Sequence, residues 1–321
     1  MKRILAMILC TVMLLMSLAA CDGAQTADDG VFVVGVCQIE PHAALDAATK
    51  GFKDALIAEL GEDKVQFIDG NAAGDSNTLN TIIQDFVSKK VDLILANATP
   101  VLQTAAGATS VIPILGTSVT EYGVALQIDD FDGLVGGNIS GTSDLAPLDK
   151  QAQMVLDWCP NAKKVGLLYS ATEANSTYQV KVVKEYLEGK GVTCTEYSFS
   201  SSSDLAAVTE KAASESDAIY VPTDNTVANS AELVDSICRA KKVPIIAGEE
   251  NICKKCGIAT LSISYYDLGV TTGKMAAQVL TGKADISQMK IANAETQTAK
   301  YNAEICEDLG IEPLEGYVAI E

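Results

Sequence analysis

Short clusters of hydroxyl, amide and carboxylate residues follow most of the apolar runs in this chain, and they are the groups best placed to do chemistry. Gln38, Glu40 and His42 follow the first run; Asn97, Thr99 and Pro100 follow Leu93-Ile94-Leu95; Thr117, Ser118 and Thr120 follow Ile114-Leu115. In the second half, Tyr169 leads to Ser170, Glu173, Asn175 and Ser176, Tyr220-Val221 to Thr223, Asp224 and Asn225, and Ile246-Ala247 to Glu249 and Glu250. Helix N-termini with free N–H groups attract a carboxylate, and Asp224 and Glu249 could hold an ammonium. Together the set suits a zwitterion such as an amino acid. A purely local reading stands beside this one. Thr99-Pro100 and Thr223-Asp224 are ordinary helix N-caps, each worth about 1 kcal/mol without a ligand. His42 reads equally as a surface cap or as a ligand contact.

Catalysis has little to work with. No Gly-rich phosphate loop, G-x-S-x-G elbow or metal-binding His pair occurs. The single histidine, His42, has no marked nucleophile beside it. Asp224 with Glu249 could form an acid–base pair, which keeps an extracytoplasmic enzyme as one alternative. Cys253-Lys-Lys-Cys256 has zinc-ribbon spacing but no second pair, so it reads as a surface-loop dithiol or a local disulfide. No metal and no cofactor is expected.

The elements that must position these clusters alternate along the chain. Strand-like runs cover 31–39, 65–68, 91–96, 112–116, 164–169, 192–197, 218–221, 243–247 and 258–263. Helical patterns lie between them, clearest at Leu79, Ile82, Ile83, Phe86 and Val87, and near 43–60, 99–108, 147–158, 175–189, 203–213, 226–241 and 266–281. Strands apolar at nearly every position are covered on both faces, which predicts α/β architecture with parallel sheets. An internal echo divides the chain. Val34-Gly35-Val36 resembles Val165-Gly166-Leu167, Val91-Asp92 with its apolar run resembles Ser216-Asp217 with its own, and Ile112-Pro113 resembles Val243-Pro244. Gly35 to Pro113 and Gly166 to Pro244 are both 78 residues apart. Two doubly wound lobes with strand carboxyl ends facing a shared cleft are therefore expected.

The chain start adds a location. Lys2-Arg3, an apolar run from Ile4 to Leu18 and small residues before Cys21 describe a secretory signal over 1–20. Leu18-Ala19-Ala20-Cys21 looks like a lipobox, which implies acyl chains on Cys21, and the polar stretch 21–30 reads as a flexible tether. Without the signal, 21 basic residues face 42 acidic ones and Arg239 is the only arginine. Such a surface repels nucleic acid, and bidentate arginine recognition of an anion is almost excluded.

The stretches CQIEPHAALDAATKGFKDAL, VDLILANATPVLQTAA, GTSDLAPLDKQ, DAIYVPTDNTVANS and SISYYDLGVTTGKMAAQVL together resemble the substrate-binding lipoproteins of ABC importers. The subgroup is the one whose characterised members bind tryptophan or tyrosine. The resemblance implies a type I periplasmic-binding fold of two Rossmann-like lobes joined by a hinge. Its lobes would be 31–139 plus 264–284 and 140–263 plus 285–321, with helix 266–281 packed on the first lobe. It also implies a monomer that delivers its ligand to permease and ATPase subunits, although a ligand sensor for a membrane receptor could carry the same sequence. Gln38, His42, Ala44, Leu45 and Asp46 match the family's first-strand motif, whereas Pro41 stands in place of its glutamate and Ala43 in place of its proline. Gly248-Glu249-Glu250 stands where Gly-Asp-Glu is common. The expected ligand-binding set is Gln38, His42, Thr99, Thr117, Ser118, Glu173, Asn175, Ser176, Thr223, Asp224, Asn225 and Glu249, with lipidation at Cys21.

Overall fold

Val34 and Val36 are buried on one strand and Leu93 to Ala96 on another, so these runs can only sit inside layered sheets. The computed structural model describes residues 30–294 and 296–320; the expected signal and the lipidation site at Cys21 lie outside the described residues. The first sheet contains β1 (Phe32–Gln38), β2 (Val65–Asn71), β3 (Leu93–Asn97), β4 (Ile114–Val119), β5 (Ile139–Ser143) and β11 (Ala292–Asn293). Its order is β11-β5-β4-β3-β1-β2. The second contains β6 (Lys164–Ser170), β7 (Thr193–Phe199), β8 (Ala218–Val221), β9 (Ile245–Ala247), β10 (Ala259–Ser262), β12 (Thr298–Tyr301) and β13 (Val318–Ala319). Its order is β13-β12-β10-β9-β8-β6-β7, so both sheets share the doubly wound core order 2-1-3-4-5. Pairing is parallel throughout except between β10 and β12.

The sequence echo has a structural cause. Asp92, just before β3, accepts from Val33 N at 2.7 Å, and Asp217, just before β8, accepts from Lys163 N and Lys164 N at 2.8 and 2.9 Å. Each aspartate ties the start of its strand to the neighbouring first strand of the lobe. Gly35 is needed for packing. A Cβ there would lie 2.6 Å from the ring of Phe86 on α2 (Ser76–Lys89).

Three connections join the sheets: β5 to α5 (Leu148–Trp158), β10 to α11 (Tyr265–Leu280), and β11 to β12. α11 packs on α1 (Ala43–Leu60) through small residues: a Cβ on Gly269 would meet Ala48 O at 2.0 Å, and one on Gly51 would meet Tyr266 O at 2.1 Å. The expected lobe boundaries shift. Position 139/140 falls inside β5, which continues the ladder from β4 (Ile114↔Ile139, Leu115↔Ser140), and β11 pairs with β5 in the same sheet. The first crossing therefore follows Ser143, and residues 285–293 stay with the first lobe.

Other elements differ locally from the sequence reading. The single helix expected over 226–241 is two, α8 (Asn225–Asn229) and α9 (Ala231–Ala240). Cys253 and Cys256 sit on α10 (Glu250–Cys256), buried and unbridged, rather than in a surface loop. Their helix packs its apolar face into the second lobe's core, and burial pushes both thiols well above their usual range. Among the described residues no helix is long and apolar enough to cross a membrane, and none group into a metal-binding cluster.

Candidate ligand-binding site

Polar clusters at the carboxyl ends of β1, β4, β6, β8 and β9 converge on one pocket. It is lined by His42, Leu45, Ser118, Thr120, Asp144, Asn175, Thr223, Asp224, Asn225, Ala228, Glu249 and Tyr265. Three carboxylates line it, and no lysine or arginine does.

Four lining residues carry a buried polar atom with no partner: His42 Nδ1, Ser118 Oγ, Asp144 Oδ1 and Asn175 Oδ1. Buried polar groups are nearly always paired, and leaving one unpaired costs about 1–3 kcal/mol. Ser118 also holds a left-handed backbone, φ 54°, uncommon for a non-glycine residue. Asp144 is 4% exposed. Burial raises its pKa, while hydrogen bonds from Tyr265 and Thr120 act the other way. Its Oδ2 accepts from Tyr265 Oη at 2.9 Å, and its Oδ1 is open.

The other two lining carboxylates are already engaged. Asp224 caps α8 by accepting from Val227 N at 2.9 Å, and its second oxygen accepts from Ser170 N at 2.7 Å and Ser176 Oγ at 2.8 Å. Burial and the nearby Glu173 push its pKa up, against those three donors. Glu249 caps α10 through Asn251 N and Ile252 N, and burial pushes it up to about 7. The free-ammonium-clamp role expected for Asp224 and Glu249 thus meets oxygens that already hold two helix starts. The local capping reading holds for Asp224 and fails for Thr99: Ala98 is the N-cap of the helix Thr99–Ala108, and Thr99 Oγ1 caps nothing.

Glu173 works on the neighbouring amides. It accepts from Asn175 Nδ2 at 3.1 Å, Asn225 Nδ2 at 2.5 Å, and the N and Oγ1 of Thr226, both at 3.2 Å. Two contacts cross between the lobes on this side. His42 Nε2 lies 3.2 Å from Asn225 Oδ1, and Thr226 Oγ1 lies 3.5 Å from Glu40 Oε1. Burial pushes His42 down, partly countered by the Asn225 bond and the charges of Glu173 and Asp46.

Besides Glu173, four expected residues stand behind the lining rather than in it. Gln38 braces α1 through Asp46 and Thr49, Thr117 meets Thr142 at 3.3 Å inside the first sheet, and Ser176 supports Asp224. Thr99 begins α3 (Thr99–Ala108) and is buried with Oγ1 unpartnered. Leu45, Thr120, Asp144, Ala228 and Tyr265 line the pocket outside the expected set. Asp144 and Tyr265 lie in quoted motif stretches, GTSDLAPLDKQ and SISYYDLG, and a carboxylate or a phenol beside each lobe crossing was the available signal.

The family model for ABC transporter substrate binding proteins matches residues 33–318. The chain belongs to that family. This substrate-binding protein is 35% identical over 297 residues to a tyrosine-binding protein of Clostridioides difficile, covering 88% of this chain and 85% of the relative. Among solved structures it is similar to an ABC domain from Streptococcus pneumonia in complex with L-Trp, at 33% identity, with 91% of this chain and 100% of that one covered, and a TM-score of 0.85. It is also similar to a ligand-free, open substrate-binding protein with adhesive properties from Clostridium difficile, at 34% identity and TM-score 0.68, covering 91% and 99%. In this substrate-binding protein the cleft is closed by the contacts of His42 with Asn225 and of Thr226 with Glu40 across it. Its fold is the two-lobed type I periplasmic-binding fold.

Proposed function

We propose that this substrate-binding protein is the extracytoplasmic receptor of an ABC importer, lipid-anchored at Cys21, and that it closes on an aromatic α-amino acid. One observation carries the reading: four unpaired buried polar atoms surround a pocket rich in carboxylate and lacking any cationic side chain. The ligand amine goes to Asp144 Oδ1, the open carboxylate oxygen, with Asn175 Oδ1 as its second acceptor. The unpartnered hydroxyl of Ser118 supplies a donor for the ligand carboxylate. Hinge closure buries the ligand between lobes. The tryptophan complex and the tyrosine-binding relative support the aromatic choice.

The alternative acid–base pair Asp224/Glu249 has little support, because both carboxylates are held as helix caps. Thermal shift of the protein against amino acids, nucleosides and sugars tests the reading. A ligand at about 100 times its Kd should stabilise the fold by about 2.7 kcal/mol. Stabilisation by sugars or nucleosides alone would overturn it. Mass spectrometry of the processed N-terminus tests the acylated Cys21.

A further inference from the structure

Asn225 spans the closed cleft with its two ends fixed differently. Nδ2 donates to Glu173 Oε2 at 2.5 Å, and Oδ1 lies 3.2 Å from His42 Nε2. A carboxylate only accepts, so the donor end of the amide must face Glu173 and the acceptor end must face the imidazole. The contact with His42 is then a hydrogen bond only if Nε2 carries the proton. Asn175 is oriented the same way: Nδ2 donates to Glu173 at 3.1 Å and to Thr223 O at 2.9 Å, which turns Oδ1 to the pocket without a partner. His42 Nδ1 is buried, lines the pocket and has no partner. Burial, joined by the charge of Lys255, lowers the ring's pKa against the Asn225 bond and the charges of Glu173 and Asp46, and so keeps it neutral. A neutral ring protonated at Nε2 offers Nδ1 as an acceptor and nothing else.

We propose that Glu173, acting through Asn225, sets the tautomer of His42 on closure, so that Nδ1 demands a donor on the ligand side chain. The inference rests on the amino-acid reading of the pocket and narrows it. With the α-amine held by Asp144 and Asn175, the ligands that fit carry an N–H or O–H on an aromatic ring, an indole or a phenol. Phenylalanine leaves Nδ1 buried and unpaired, and a site built around a hydrogen bond discriminates strongly against the analogue that lacks it. Glu173 is a positioning residue. It sits in the second lobe with Asn225, whereas His42 belongs to the first, so the tautomer is selected only when the lobes meet.

The chain has one histidine, so nitrogen-15 NMR of full-length protein labelled at histidine reads a single ring. Isothermal titration with L-tyrosine, L-tryptophan and L-phenylalanine runs beside it. The expected result is a neutral ring protonated at Nε2 in the complex, with phenylalanine bound at least about tenfold more weakly than the better of the other two. Glu173→Gln lets the Asn225 amide face either way. It should give a mixed tautomer and a smaller discrimination between phenylalanine and the other two. A purely structural Glu173 would lower Tm in the Gln variant and leave the tautomer of the folded complex unchanged, which overturns the proposal. An imidazolium, an Nδ1–H ring or equal binding of phenylalanine also overturns it and leaves the amino-acid reading standing. If none of the three amino acids binds, that reading fails and this inference fails with it.

Discussion

Tyr265 Oη donates a 2.9 Å hydrogen bond to Asp144 Oδ2, joining the segment that leaves the first lobe after β5 to the helix that returns to it. The bond is buried, and it leaves the other Asp144 oxygen open to the pocket. The proposed acceptor for the ligand amine therefore sits where the chain crosses between the lobes.

Asp144→Asn should weaken amino-acid binding about a hundredfold, because a charge-assisted hydrogen bond is worth about 1.5–3 kcal/mol and the ammonium loses its counter-charge. Tm should hold or rise, since an unpaired buried carboxylate is removed. Titration calorimetry with thermal melts checks both, and unchanged affinity would falsify the amine assignment.

Affinity should fall in acid through the same carboxyl. Burial holds the Asp144 pKa above its ordinary 3.8 in the free protein, and a bound ammonium lowers it, so binding releases a proton in that range. Affinity then rises with pH through the raised pKa and levels off above it. Measuring Kd from pH 4 to 7.5 in wild type and Asp144→Asn isolates the effect, because the rise of affinity with pH should be lost in the variant.

Glu40 contributes with the opposite sign. Closure buries it against Thr226, whose hydroxyl also lies 3.2 Å from Glu173, so one proton serves two carboxylates. Burial first, then the charge of Glu173, raises the Glu40 pKa, and closure favours the protonated form. Glu40→Gln should tighten binding a few-fold at neutral pH, with the gain shrinking as pH drops. A variant weaker than wild type at pH 7.5 contradicts this.

Gly269→Ala should destabilise the protein by about 1–3 kcal/mol or more, since the added methyl has only backbone to displace at the α1–α11 contact. Gly107→Ala, where a Cβ meets nothing within 4 Å, is the control and should hold or raise Tm.

Cys253 and Cys256 should resist alkylation in the native protein and react on unfolding. Both are buried, and their thiols are held well above the ordinary range. Rapid native labelling at either position, read by peptide mass spectrometry, would count against the buried helix.

Much of the architecture was legible along the chain because its causes are local or periodic. Strands covered on both faces leave unbroken apolar runs such as Leu93-Ile94-Leu95, and the two lobes repeat one aspartate-pinned strand start, Asp92 and Asp217. Asp224 and Glu249 could be placed at helix starts because a cap reaches only two or three residues ahead. β5 was missed: Ile139-Ser-Gly-Thr-Ser has one apolar residue, and it becomes a strand by completing a ladder begun 25 residues earlier at Ile114.

The sequence by itself determined two similar α/β lobes, polar groups at their strand ends and, beyond the expected signal, the lack of arginine, Arg239 apart, to meet an anion. Only the tertiary structure decided which of those groups remains available to a ligand. Asp144 and Tyr265 meet from 121 residues apart, and His42 and Asn225 from 183. Whether a buried oxygen or nitrogen keeps an empty lone pair depends on every neighbour that packing brings to it, and no spacing along the chain records that.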